Sequence, residues 1–402
     1  MFELLRGLKV VDLTTIVLGP YATQLLGDFG ADVVKVEPPG GDLFRSARPG
    51  RSAAMGAPFL NCNRNKRSIV LDLVQVEGLA VLRRLLATAD VVVHNIRPEA
   101  ARRLGVSYED VREIRPEIVY CYGCGFGQEG ARAADPAYDD IIQAASGIAF
   151  LNATPSGAPR YLPTLLADKV AGLHLALAVV AGVAARARTG RGTCIEVPMF
   201  ESVVSFLMVD VLAGRTFDPP LGDMGYGRLT SPFRKPFATR DGFVAILPYS
   251  GAHWTRFLTL IGRADLAASD LVTDPVRRSR EIGRLYAVVE EAAPTRTTAE
   301  WLELLRAHDI PCGEVRNPND LPDDPHLRDV GMFAPVEHPT EGPLVSAHSP
   351  FRLPFGEASD DIPVPNPGEH GEAILREAGF TDGEIHGLVR SGGVHLPQPP
   401  TG

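Results

Sequence analysis

Leu8-Lys9-Val10-Val11-Asp12-Leu13, then Gly19-Pro20, then Gly30 followed by Asp32-Val33-Val34-Lys35-Val36-Glu37, is the stretch that decides the fold. Its two ends are short apolar runs rich in β-branched residues. Between them Gly19-Pro20 opens a helix over Tyr21–Phe29, and Gly30 ends it. The same alternation recurs outward. A strand is expected at Ile69–Leu73, a helix at Gly78–Thr88 and a strand at Asp90–His94. Helix Tyr108–Ile114 and strand Ile118–Tyr122 follow. Short apolar strands alternating with helices imply βαβ units, a parallel sheet and an α/β fold. Ligands of such sheets bind at loops beyond the carboxyl ends of the strands.

Further along, Val170–Ala185 reads as a buried apolar helix. The turn Arg188–Gly192, a strand at Cys194–Val197 and a long helix at Phe200–Ala213 come next. Residues 214–236, rich in Gly, Pro and Arg, look like a crossing linker. A second unit opens with a hairpin arm at Asp241–Leu247, continues with helices at Trp254–Ile261, Glu281–Ala293 and Thr298–His308, and closes at Ile310–Val315. Residues 319–350 read as loop, and the tail as two short amphipathic helices around Ala373–Ala378 and Asp382–Ser391.

At 402 residues the chain is long enough for two or three domains. Hydrophobic and charged shares of 45% and 22% are those of a soluble globular protein. A net charge of −9 argues against a nucleic-acid or membrane-surface binder. No signal peptide is visible, and Val170–Ala185 is too short for a membrane span. Five scattered cysteines argue for a reducing cytoplasm rather than a disulfide framework. Cys121 and Cys124 have redox spacing, but their place in a strand-to-glycine turn favours a structural role. The histidines show no metal-ligand pairing, so no metal is expected.

Two basic stretches stand out in this acidic chain. His94-Asn95-Ile96-Arg97-Pro98, with Arg102-Arg103 a turn later, sits at a strand's carboxyl end above a helix start, which suits a phosphate or diphosphate. Asn63-Arg64-Asn65-Lys66-Arg67-Ser68 reads as a second basic turn before its strand. Together they suggest one large anionic ligand. Gly123-Cys124-Gly125-Phe126-Gly127 lacks the dinucleotide-binding spacing and follows a late strand, so a nicotinamide cofactor is not expected. Asp168, at the mouth of the apolar helix, is either a helix cap or a nucleophile on the residues alone.

In their order, these pieces resemble the family III CoA-transferases, the formyl-CoA transferase and carnitine-CoA transferase group. The resemblance covers nearly the whole chain. It rests on Leu18-Gly19-Pro20, the run Gly30 to Asp42, Asn63 to Ser68 with Leu71-Asp72, and Asn95 to Pro98. Gly125-Phe126-Gly127-Gln128, Tyr138-Asp139 with Gln143 to Gly147, Asp241-Gly242, Ile310 to Gly313 and Asp324-Pro325-His326 complete it.

The resemblance implies that Asp168 is the nucleophile. It implies that Asn95, Arg97 and Arg103 hold the CoA nucleotide and that Leu71 and its neighbours line the adenine; Lys66 and Arg67, from the second basic turn, are expected to join them. Tyr138, Asp139, Val17 and Gly251 would position substrate or intermediate. It further implies a Rossmann-like large domain and a smaller α+β domain, with two ring-like chains interlocked as a homodimer. The expected limits are 1–200 for the large domain, 201–224 for the linker, 225–325 for the small domain and 326–402 for the return. Coenzyme A is then part of the substrate, with no tightly bound cofactor.

The implied reaction passes CoA from an acyl-CoA to a carboxylic acid through mixed anhydrides and an aspartyl-CoA thioester. A carboxylate at the helix N-terminus is expected to stay ionised, favoured by the dipole by roughly 0.3–1 kcal/mol. The related α-methylacyl-CoA racemases pair this aspartate with a histidine. Here that place holds Tyr138, and a tyrosine hydroxyl, ordinarily titrating near about 10, is a poor second base. Racemase-type isomerisation and CoA binding without turnover stay as alternatives. Departures from formyl-CoA transferases are Val17 for a glutamine, Pro38 for an arginine, and Pro248–His253 for a run of glycines over the nucleophile. Arg45, Arg48, Arg228 and Arg234 are spare loop cations that could meet a second carboxylate, which suggests a small dicarboxylate substrate.

Overall fold

The computed structural model describes residues 1–153, 157–354 and 361–397. The chain forms two compact units: Met1–Phe206 with Gly331–Gly402, and Leu207–Val330.

The first unit is built on a seven-stranded sheet. β1 (Lys9–Leu13), β2 (Asp32–Glu37), β3 (Lys66–Leu71), β4 (Val91–His94), β5 (Val119–Cys124) and β6 (Thr193–Pro198) run parallel. A last strand, Val394–His395, lies antiparallel against β3. The order across the sheet is Val394–His395, β3, β2, β1, β4, β5, β6. Its parallel part has the doubly wound order 3-2-1-4-5-6, which reverses between β1 and β4. Leu13 stands beside His94 in that pair, so the loops leaving both strands emerge side by side.

The strands read as nearly continuous apolar runs because the sheet is covered on both faces. All four residues of β4 are buried. One face is filled by Leu82 and Leu86 from the Val76–Leu86 helix and by Ile374 and Leu375 from the C-terminal part. Complete burial of a leucine stabilises by roughly 1.5–3 kcal/mol. Against β5 and β6, and beside α1 (Leu18–Asp28), packs the long helix Leu166–Thr189. Ala167, Ala171, Gly172 and Ala176 give it a close-packing face.

Three expectations need correction. The long helix is buried on one side only; Leu173 and Leu177 are 50% and 66% exposed. Among the described residues it is the one helix long and apolar enough to cross a membrane by length and composition. Residues 319–350 are not all loop: Phe333–His338 and Gly342–Ala347 form an antiparallel hairpin. And β3 begins at Lys66, so Lys66 and Arg67 belong to a strand rather than to a basic turn.

The second unit has a three-stranded antiparallel sheet, Phe237–Ala238, Phe243–Ile246 and Cys312–Glu314, with the middle strand shared. Its core packs Trp254, Phe257, Tyr286 and Trp301 against that sheet.

Candidate active site

The loop leaving β1 lies at the point where the strand order reverses, and side chains grip its backbone. Asp12 accepts from Thr14 N–H at 2.9 Å, and Lys35 Nζ donates to Thr14 C=O at 2.8 Å. The Asn95 amide accepts from Thr15 N–H at 3.0 Å and donates to Thr15 C=O at 2.9 Å. Asp42 accepts from Ile16 N–H at 3.1 Å. Lys35 and Asp42 form an ion pair at 2.8 Å, with both side chains fully enclosed. These bonds hold Ile16 at φ 73°, a left-handed conformation that costs a β-branched residue energy.

This clamped loop sets where α1 begins. Val17, which is buried, occupies the position before the helix. A side chain at Gly19 would lie 2.2 Å from Thr14 Cβ, and one at Gly172 would lie 2.7 Å from the Leu18 carbonyl oxygen. Gly19 thus lets the start of α1 close onto the loop after β1, and Gly172 lets the long helix close onto the start of α1. Asp168, third residue of that helix, receives a backbone hydrogen bond from Leu18. The carboxylate thus sits beside the carboxyl end of β1.

Asp168 is not the cap of its helix. The capping position is Leu165, which offers no side-chain bond. Asp139 does the work from another element: its Oδ1 accepts from Ala167 N–H at 2.7 Å and from Asp168 N–H at 3.2 Å. Gln143 Nε2 donates to Oδ2 at 2.5 Å and fixes the carboxylate. Burial pushes the Asp168 carboxyl up to about 7, and the neighbouring Asp139 carboxylate adds to the rise; the Leu18 hydrogen bond opposes it. The expectation of a fully ionised Asp168 is corrected accordingly: desolvation and a like charge outweigh the favourable helix end.

The remaining candidates divide. Tyr138, just before the Asp139–Ser146 helix, is 66% exposed. Gly251 begins a helix of the second unit, where the Ser250 hydroxyl accepts from His253 N–H at 3.1 Å. Arg97 and Arg103 flank the short Pro98–Arg103 helix and are exposed, and among the described residues neither has an ion pair. Asn95 ties the β1 and β4 loops together, as above.

Leu71, Lys66 and Arg67 do not join this group. The Leu71 side chain is fully enclosed in the core. Lys66 directs its ammonium to Pro20 C=O, Asn63 Oδ1 and Asp12 at 2.9, 2.8 and 3.2 Å, which uses all three of its donors. Arg67 is held by Asp32 and Glu377 at the amino end of the sheet, opposite the reversal loops. Arg45 is no spare cation either, being buried in a bidentate pair with Glu37. Burial pushes the Cys121 and Cys124 thiols up to about 12, which suits inert rather than redox cysteines. Among the described residues no group is arranged to hold a metal ion.

A family model described as CoA-transferase family III matches residues 5–371. The chain belongs to CoA-transferase family III. It is 30% identical to a formyl-CoA:oxalate CoA-transferase of Rhodopseudomonas palustris (strain BisA53), with 99% of each chain covered. It is 33% identical to a succinyl-CoA:mesaconate CoA-transferase of Haloarcula marismortui, covering 94% of this chain and 97% of that one. The crystal structure of a CAIB/BAIF family protein from Brucella suis superposes with a TM-score of 0.80 at 30% identity, over 94% of this chain and 100% of the other. As a family III CoA-transferase, the chain is an enzyme that moves CoA from an acyl-CoA to a carboxylic acid. Ile16 carries no sequence signal of its role, whereas Lys35 and Asp42 lie in the run Gly30–Asp42 and Gln143 in the run Gln143–Gly147, motifs that assign none of the three a role.

Proposed function

We propose that Asp168 is the nucleophile of this CoA-transferase and carries CoA as a covalent thioester. The observation that carries this reading is a carboxylate poised near neutrality on a helix N-terminal turn, beside a clamped backbone loop at the sheet's reversal point. A carboxyl that titrates near 7 is more basic than an ordinary aspartate, hence a better nucleophile once ionised.

An Asp168 oxygen attacks the thioester carbonyl; the C–S bond breaks and CoA thiolate leaves a mixed anhydride. The thiolate attacks the aspartyl carbonyl, releasing the donor acid as carboxylate and leaving an aspartyl-CoA thioester. The acceptor carboxylate attacks that thioester, forming a second anhydride and freeing thiolate. Attack of the thiolate on the acceptor's carbonyl gives the new acyl-CoA and restores Asp168. The net reaction exchanges one thioester for another of similar energy, so no ATP enters. Oxyanions developing on the aspartyl carbon are supported by the Leu18 N–H. Asp139 positions Asp168 by capping its helix, and Tyr138 orients the acyl group. Arg97 and Arg103 hold the nucleotide part of CoA.

The acceptor is a small dicarboxylate. Oxalate and mesaconate, in the names of the two relatives, are both dicarboxylic acids. The active form is an interlocked homodimer, a reading supported by the apolar surface that Leu173, Leu177 and Phe206 expose. Five free thiols support a cytoplasmic setting. Replacing the nucleophile tests the reading: Asp168→Ala is expected to lower transfer by about 10³-fold or more while acyl-CoA still binds. A variant with full transfer would sink it.

A further inference from the structure

We propose that Asp42 is a positioning residue for the nucleophile: by holding the loop after β1 in its left-handed turn, it aims the Leu18 N–H at the Asp168 carboxylate. The residues involved all lie in the first unit, and the proposal deepens the nucleophile reading above, on which it rests. One Asp42 oxygen accepts from Ile16 N–H at 3.1 Å and from Phe44 N–H at 3.0 Å; the other takes the Lys35 ammonium at 2.8 Å. Lys35 also donates to Thr14 C=O at 2.8 Å, so the pair grips the loop at both Thr14 and Ile16. The pair is itself anchored. Asp42 N–H donates to Glu37 Oε2 at 3.0 Å, and Glu37 is paired with buried Arg45.

A β-branched residue at φ 73° persists only where its surroundings impose that conformation, and such residues cluster at functional sites. Two residues on, Leu18 opens α1, and its N–H is one of the first-turn donors that no helical carbonyl reaches. Val17 supplies no side-chain cap there, and the Asp168 carboxylate takes the Leu18 donor instead. The direction of that N–H follows the path of residues 14–17, which Asp42 and Lys35 fix. A connection serving the fold alone needs neither a strained isoleucine nor a fully enclosed ion pair, whose desolvation is costly. Three other titratable groups stand near Asp168. Asp139 repels its charge, burial pushes the Cys62 thiol up and keeps it neutral, and Lys169 of the same helix turns its ammonium to Thr164 Oγ1 at 2.5 Å. Asp139 and Lys169 are held by bonds that a change at Asp42 does not touch.

The test follows kcat/KM against pH for transfer from succinyl-CoA to mesaconate. In Asp42→Asn the acid limb, at about 7 in the parent, is expected to rise by about 0.5–1 pH unit, the size of one lost hydrogen bond to the ionised form. The kcat is expected to fall about 100-fold, as on loss of one oxyanion donor, with KM for succinyl-CoA unchanged. The sign is diagnostic: losing the Asp42 charge through space would move the limb down, whereas misaiming Leu18 moves it up. Adding Ile16→Gly, which adopts φ 73° freely, is expected to bring the limb back toward the parent. Ile16→Pro leaves the Lys35–Asp42 pair in place but removes the N–H and forbids φ 73°, and its limb is expected to rise as well. A limb that stays or moves down in folded Asp42→Asn, with at most a lower unfolding midpoint, would overturn the proposal. Should that variant not fold, an unmoved limb in Ile16→Pro would do so. Hydroxylamine trapping separates the two readings: an Asp168 hydroxamate in the parent with unmoved limbs in the variants sinks the Asp42 proposal alone. Turnover by the parent without that hydroxamate sinks the nucleophile reading and this one with it.

Discussion

Two cationic stretches of the first unit have opposite surroundings. In residues 64–67, Arg64 pairs with Asp28, Lys66 with Asp12, and Arg67 with Asp32 and Glu377. In residues 97–103, Arg97, Arg102 and Arg103 all face solvent, and none forms an ion pair among the described residues. The first group is internal counter-charge: it neutralises carboxylates that hold the sheet and the loop after β1. The second group is charge in reserve at the carboxyl side of β4. A cation's partner, more than its presence, tells whether it serves the fold or a ligand.

The contrast is open to direct attack. The largest effect is expected in the paired stretch. Lys66→Met removes the ion-pair partner of buried Asp12, and breaking such a pair costs about 3–5 kcal/mol. Denaturant unfolding should show that loss, and a change under about 0.5 kcal/mol would break the comparison. In the unpaired stretch, Arg97→Ala with Arg103→Ala should leave stability nearly untouched, as surface changes do. The same pair should raise KM for acyl-CoA about 10- to 100-fold, by loss of charge-assisted bonds to phosphate. A stability loss with unchanged KM would reverse the assignment.

A smaller effect is expected at Asp139. Asparagine there can still accept the Ala167 and Asp168 N–H bonds but removes the like charge beside Asp168. Since that charge helps raise Asp168 to about 7, the acid limb of kcat/KM should move below pH 7 in Asp139→Asn. The sign is fixed: less repulsion favours the ionised Asp168 at lower pH. An acid limb that stays put or moves up would separate Asp139 from the chemistry.

Much of the frame was legible in the chain because local rules govern it. Continuous β-branched runs such as Val91–Val93, with Gly19-Pro20 and Gly30 as punctuation, announce a buried parallel sheet and its helices. The Phe333–Ala347 hairpin was not legible, since Pro335 and Pro343 interrupt both arms and the strand pattern is mixed. Lys66 was misread because a charged residue suggests solvent, and its partner Asp12 is 54 positions away. The cap supplied by Asp139 to a helix 28 residues on is a tertiary fact, as is the left-handed backbone of Ile16. Asp168 stood out through its place before an apolar helix, but its charge state depends on burial and Asp139, which the sequence does not display.

The central claim is a covalent bond at Asp168, and trapping tests it most directly. The parent enzyme is incubated with acyl-CoA and hydroxylamine, digested, and the peptide containing Asp168 is weighed. The account predicts a hydroxamate on Asp168 that requires acyl-CoA, forms without acceptor and is missing from Asp168→Asn. An unmodified Asp168 in an enzyme that turns over under the same conditions would contradict it.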